Sequence, residues 1–147
     1  MPGRRGARRL RLAVLPLALA GALAGCSERP AVRVEHAWLR AADSGATTAG
    51  YLTLVNGGAD SLQVTGASGS CAEAIGMHET VRDRGRMTMR EAQEFRVPPG
   101  ARLEFAPGGN HLMLTRLRRR LVPGGREELS LRLSDGRTLP VEATVRP

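Results

Sequence analysis

The sequence predicts an all-β domain, a β-sandwich or small barrel, on three observations. Apolar stretches of strand length recur about every ten residues, the breaks between them carry turn chemistry, and the chain beyond its N-terminal segment has no sustained helical periodicity. Many short strands at even spacing bury a common core only by packing as sheets.

Taken in order, Val32, Val34 and Ala37-Trp38-Leu39 predict a first strand, and Tyr51-Leu52-Thr53-Leu54-Val55 a second that Asn56-Gly57-Gly58 ends. Leu62-Gln63-Val64-Thr65 alternates apolar with polar residues, as a half-buried strand does. Further strands are expected at Ala72 to Val81, Arg86 to Arg90, Ala101 to Phe105, His111 to Leu117, Leu129 to Leu133 and Thr138 to Val145. Asp83-Arg84-Gly85, Pro98-Pro99-Gly100, Pro107-Gly108-Gly109-Asn110, Pro123-Gly124-Gly125 and Asp135-Gly136 supply the turns. Trp38, Tyr51, Phe95, Phe105 and the many Leu and Val are the expected core.

The N-terminus reads as an export signal. Five arginines fall in the first 11 residues, an Ala- and Leu-rich run covers Leu12 to Leu23, and Leu23-Ala24-Gly25-Cys26 follows. That run is too short to span a bilayer, which takes about 20 helical residues. Small residues before a cysteine resemble the lipobox of bacterial lipoproteins, which implies lipidation of Cys26. A plain cleaved signal with a chance cysteine is the alternative, and Arg8-Arg9 gives a weak hint of twin-arginine export. The expected organisation is a signal peptide over 1–25, a lipidated tether over 26–30 and one β-domain over 31–147. Such a protein is exported to the periplasm or cell surface and held to a membrane by its lipid.

Charge then loses its apparent meaning. The whole chain carries a net charge of +8, and all 22 basic residues are arginine. Without residues 1–25, 17 Arg face 14 acids and the balance is +3. The remaining basic run, Arg116 with Arg118-Arg119-Arg120, has no aromatic residues interleaved for base stacking, so no nucleic-acid partner is expected. A solvated face is the simpler reading, and a docking or membrane-surface patch the sharper one. With Cys26 lipidated, Cys71 has no partner for an internal disulfide.

The chemistry concentrates between residues 77 and 113, which hold two of the three His (His78, His111) and Met77, Met87, Met89 and Met113, leaving only His36 outside among the domain's His and Met. His111 and Met113 are i and i+2, hence on one face of a strand, and Met87 and Met89 repeat that spacing. A hairpin closing over the four residues between Val81 and Arg86 would set His78 opposite Met89, with side chains ~5 Å apart. Thioethers and imidazoles together suit Cu(I), whereas zinc favours thiolate or carboxylate. Strand geometry alone leaves a copper site and a set of core methionines with surface histidines equally supported.

The full spacing, His78-x10-Met89-x21-His111-x-Met113, resembles the signature of the periplasmic copper chaperone family called PCuAC. The resemblance extends from Val34-Glu35-His36-Ala37-Trp38-Leu39-Arg40 through Gly50-Tyr51-Leu52-Thr53-Leu54, His78-Glu79-Thr80 and Met87-Thr88-Met89-Arg90 to Pro107-Gly108-Gly109-Asn110-His111-Leu112-Met113-Leu114. It implies a cupredoxin-like Greek-key β-sandwich or barrel; a monomer is expected, and not an enzyme, since no nucleophile-base pairing or acidic dyad lies near the cluster. It also implies one Cu(I) per chain on His78, Met89, His111 and Met113, passed to a cytochrome c oxidase copper subunit or to a thiol copper chaperone. Some relatives carry a His/Met-rich tail with a second site; none is read in this sequence up to Val145-Arg146-Pro147, so one site per chain is the expectation.

Met77, Met87 and Cys71 lie outside the signature. Met77 should face away from His78 as core filler or serve as a spare ligand. Met87 is either a neighbour of the ligands or an alternative one, and Cys71 is either a small buried residue or a participant in copper exchange. Three competing functions remain at this level. One is a copper buffer without oxidase delivery, and another is a metal-free structural or adhesive lipoprotein. The third, a blue-copper electron carrier, needs a cysteine shortly before the last His, and Cys71 stands 40 residues before His111.

Overall fold

A computed structural model describes residues 31–147. The expected signal peptide, tether and lipid site at Cys26 lie outside these residues.

Alternating burial shapes the strands. In β9 (Arg126–Leu133), Glu127, Leu129, Leu131 and Leu133 point inward while their neighbours face outward, and in β10 (Thr138–Arg146) Val141, Ala143 and Val145 do the same. The other strands are β1 (Val32–Arg40), β2 (Thr48–Asn56), β3 (Leu62–Gly69), β4 (Ala72–Asp83), β5 (Arg86–Glu91), β6 (Phe95–Val97), β7 (Arg102–Phe105) and β8 (His111–Leu117). No helix occurs among the described residues.

The strands join in the order β4-β8-β2-β1-β10-β9-β3, and pairing of Ala67 on β3 with Ile75 on β4 closes this into a seven-stranded barrel. Closure leaves the barrel wall without free edges. β1 and β10 run parallel, with Trp38 beside Thr144, and the remaining pairs are antiparallel. Leu54, Leu112, Leu114, Leu131, Val64 and Phe105 fill the interior. Three short strands are attached to this wall: β7 on β2, β6 on β3, and β5 on β4.

Nine of the ten strands coincide with expected ones. β6 does not, because three residues between Glu94 and Pro98 are too few to show a period. Phe95 there meets Phe105 edge-on at 5.2 Å between ring centroids. The expected aromatic core needs one correction: Tyr51 and Phe105 are buried, whereas Trp38 and Phe95 are only partly so. Trp38 stacks obliquely on Tyr51 at 4.5 Å with the Arg146 guanidinium above it, so it seals the outer wall.

Near one end, Asn56 is fully buried and ties loops together. Its Nδ2 lies within hydrogen-bond distance of the carbonyls of Asp60 (2.7 Å), Val97 (2.9 Å) and Pro98 (3.2 Å). Its Oδ1 accepts from the Gly58 N–H at 3.1 Å.

Candidate metal centre

The β4–β5 hairpin sets the register of the site. Asp83 pairs with Arg86, leaving a two-residue turn of Arg84 (φ 46°) and Gly85 (φ 79°), both left-handed as a type I′ hairpin turn requires. Met87 therefore faces Arg82, Met89 faces Thr80, and Glu91 faces His78. The expected pairing of His78 with Met89 is corrected by two residues. An even shift preserves the face, so Met87 and Met89 still project on the side of His78.

The other neighbour of β4 is β8, where His78 pairs with His111 and Gly76 with Met113. The two imidazoles stack 5.7 Å apart with planes 26° from parallel. On the opposite face Met77 pairs with Leu112, and both are buried, so Met77 is core filler. Gly76 makes room for the His78 ring: a Cβ there would stand 3.1 Å from His78 Nε2.

His111 is buried and oriented. Its Nδ1 lies 3.0 Å from the carbonyl oxygen of Gly109, which can only accept, so Nδ1 carries the proton and Nε2 keeps its lone pair. Thr80 Oγ1 donates to the same oxygen, also at 3.0 Å.

A solvent-open cavity of ≈ 570 Å³ lies on the outer wall here, lined by Met87, Met89, His111 and Met113 together with Thr80 and Tyr51. Thr48 and Ala49 of β2 and Arg40 at the end of β1 complete its far side. Because β5 and β2 are separated by β4 and β8, the hairpin must curl over β8 for Met87 and Met89 to reach this cavity. Met89, His111 and Met113 thus meet in one cavity. His78 stands behind, stacked on His111. Thr80 and Gly76 were not singled out from the sequence, although strand alternation from His78 already places both on its face.

The remaining candidates lie elsewhere. His36 occupies a bulge in β1 with φ 55° and is exposed. Cys71 is fully buried in the core, seven residues before His78 and about 20 Å away along an extended chain. Burial, aided by the Glu127 carboxylate, pushes its thiol pKa up, against the opposing pull of Arg119. The basic run is locally engaged: Arg116 with Glu73, Arg118 with the Ala72 carbonyl, Arg119 with Glu127 and Arg120 with Asp43.

A small all-β barrel presenting thioethers and an oriented imidazole on its outer wall defines the class of domain. The chain belongs to the family described as "Putative lipoprotein LpqE-like", whose model matches residues 32–145. It is 43% identical over 116 residues to "Putative lipoprotein Lxx21020" of Leifsonia xyli subsp. xyli, covering 78% of this chain and 69% of that one. Among solved structures, CuI-DR1885 from Deinococcus radiodurans is 30% identical with a TM-score of 0.65, over 84% of this chain and 83% of that one. The copper-bound PCuAC domain from PmoF2 shares the fold, with 22% identity and a TM-score of 0.65 over 79% and 92% of the two chains. The fold is cupredoxin-like, as the resemblance implied.

Proposed function

We propose that this protein is an exported, lipid-tethered carrier of Cu(I), holding one ion on His78, Met89, His111 and Met113 and passing it on. The observation that carries this reading is the oriented His111, its Nε2 free beside Met89 and Met113 in one open cavity. The lipoprotein names of the family and relative support the tether. The copper in two structural neighbours supports the cargo.

The donor chemistry fits. The residues lining the cavity include no carboxylate and no thiol, leaving neutral thioether and imidazole donors, the set that prefers Cu(I) to Zn, Mg or Ca. The same set does not neutralise the ion's charge and so holds it with moderate strength. An incoming thiolate replaces these donors one at a time through the open side of the cavity. His78 completes the set by rotating from its stacked position towards the cavity. The acceptor is a cytochrome c oxidase copper subunit or a thiol chaperone that serves it.

Competition for Cu(I) against a chromogenic chelator tests the site, using the domain and its His78→Ala, Met89→Ala, His111→Ala and Met113→Ala forms. Each substitution is expected to weaken retention, and unchanged affinity in all four would overturn the assignment. Direct transfer from the loaded protein to an apo oxidase copper domain tests delivery.

A further inference from the structure

Three large apolar side chains are exposed among the described residues, and two of them, Met87 (55%) and Met89 (61%), stand on one face of β5. Neither contributes to the core. β5 pairs only with β4, so this arm hangs outside the closed barrel, and all six of its residues are exposed. Exposed thioethers outside the cytosol are open to sulfoxidation, a liability with no structural return. Both nevertheless line the cavity that His111 and Met113 line, whereas His78 does not.

We infer that Met87 is a transient copper ligand, the thioether that receives the ion on entry and holds it again on exit. The inference rests on the proposed Cu(I) function and adds a residue to it. In the arrangement seen here the cavity offers three thioethers, from Met87, Met89 and Met113, and His111 Nε2. An arriving Cu(I) binds these donors first. His78 then turns towards the cavity, its Nε2 lone pair forms a bond to copper, and the Met87 sulfur takes its own lone pair back. No electron changes hands and the ion stays Cu(I). No proton moves when His78 presents a neutral Nε2. Release to an acceptor thiolate runs the same exchange backwards, with Met87 replacing His78 before the thiolate attacks.

The register supports this order. Met89 is two pairs further out than His78 along the hairpin and Met87 is four pairs out, so Met87 is the first sulfur met from the tip. Methionine's flexible, unbranched side chain suits a donor that must engage and let go.

The test compares Met87→Leu, which keeps size and apolarity at an exposed position, with Met89→Leu and the parent protein. Loading from a Cu(I)–chelator complex and release to a small dithiol are followed by stopped flow, with affinity measured by chelator competition. Met87→Leu is expected to leave Kd within about twofold while slowing both loading and release roughly fivefold or more, and Met89→Leu to weaken Kd itself. Methionine-methyl NMR of the unmutated protein with Ag(I), a redox-inert soft ion, needs no variant: the Met89 and Met113 methyls should shift most, and the Met87 methyl should shift by less and broaden through exchange while Ag(I) is substoichiometric. Unchanged rates in Met87→Leu, an unmoved Met87 methyl, or a Kd loss equal to that of Met89→Leu would each overturn the inference. Absence of Cu(I) binding by the parent protein would instead defeat the copper function as a whole.

Discussion

Thr80 and His111 donate to one acceptor, the carbonyl oxygen of Gly109, each at 3.0 Å. The first contact locks the turn before β8 against β4, and the second fixes which imidazole nitrogen faces the cavity. Thr80 therefore positions His111 through the Gly109 carbonyl without being one of the proposed copper ligands. Thr80→Val keeps the shape and removes the hydroxyl, and Cu(I) affinity is expected to fall about tenfold, as for partners that orient metal-binding histidines. Thr80→Ser should restore most of it, a rescue that a purely packing role would not give.

Asn56 predicts a stability effect remote from the cavity. Asn56→Ala removes the side-chain partner of the buried Val97 carbonyl, of the Asp60 carbonyl and of the Gly58 N–H, while the Pro98 carbonyl keeps the Ala101 N–H at 3.1 Å. The expected loss is about 3 kcal/mol, measured as a shift in the urea unfolding midpoint. Asn56→Asp should also be damaging, because a carboxylate cannot donate to those carbonyls.

Cys71 is expected to be silent. Its depth and raised pKa keep the thiolate population low, so a thiol reagent at neutral pH should label it only after denaturant is added. Cys71→Ala should cost about 1 kcal/mol of stability and leave Cu(I) affinity unchanged. A fall in affinity would restore a role in exchange.

Acid stability should depend on Glu35. Hydrogen bonds from Arg33 and Arg102 hold its carboxyl below the usual value of 4.5. A carboxyl that is a stronger acid in the folded chain stabilises that chain above 4.5 and loses the contribution as pH falls through its lower folded value. Asp135, held down by the Arg137 backbone N–H and guanidinium, acts in the same sense from its usual 3.8. Thermal melts between neutral pH and pH 3 should show Glu35→Gln with a shallower acid decline than the parent, and the difference should shrink in high salt.

The fold and the face of the site were legible in sequence, and the hairpin register was not. Turn residues and period-two alternation mark nine strands, and the i, i+2 spacing of His111 and Met113 already puts them together. The register departs at Arg84, which adopts a left-handed conformation where Asn or Gly is usual, so Asp83-Arg84-Gly85 marks a turn without showing that its loop is only two residues long. A four-residue loop sets His78 opposite Met89, whereas the two-residue turn makes Glu91 its partner. β6 was too short to read, and the outward position of Trp38 follows from the bulge at His36, which no residue pattern announces.

The direction of β1 has a geometric consequence. Arg40 borders the cavity, and Val32 begins the strand about 25 Å away at the extended rise per residue. A lipid attached ahead of residue 31 would pull on the barrel at the Val32 end, leaving the half that bears Arg40 and the cavity as the outboard side. Held this way, the protein would present its thioethers to whatever approaches across the aqueous space, with the bilayer at its back.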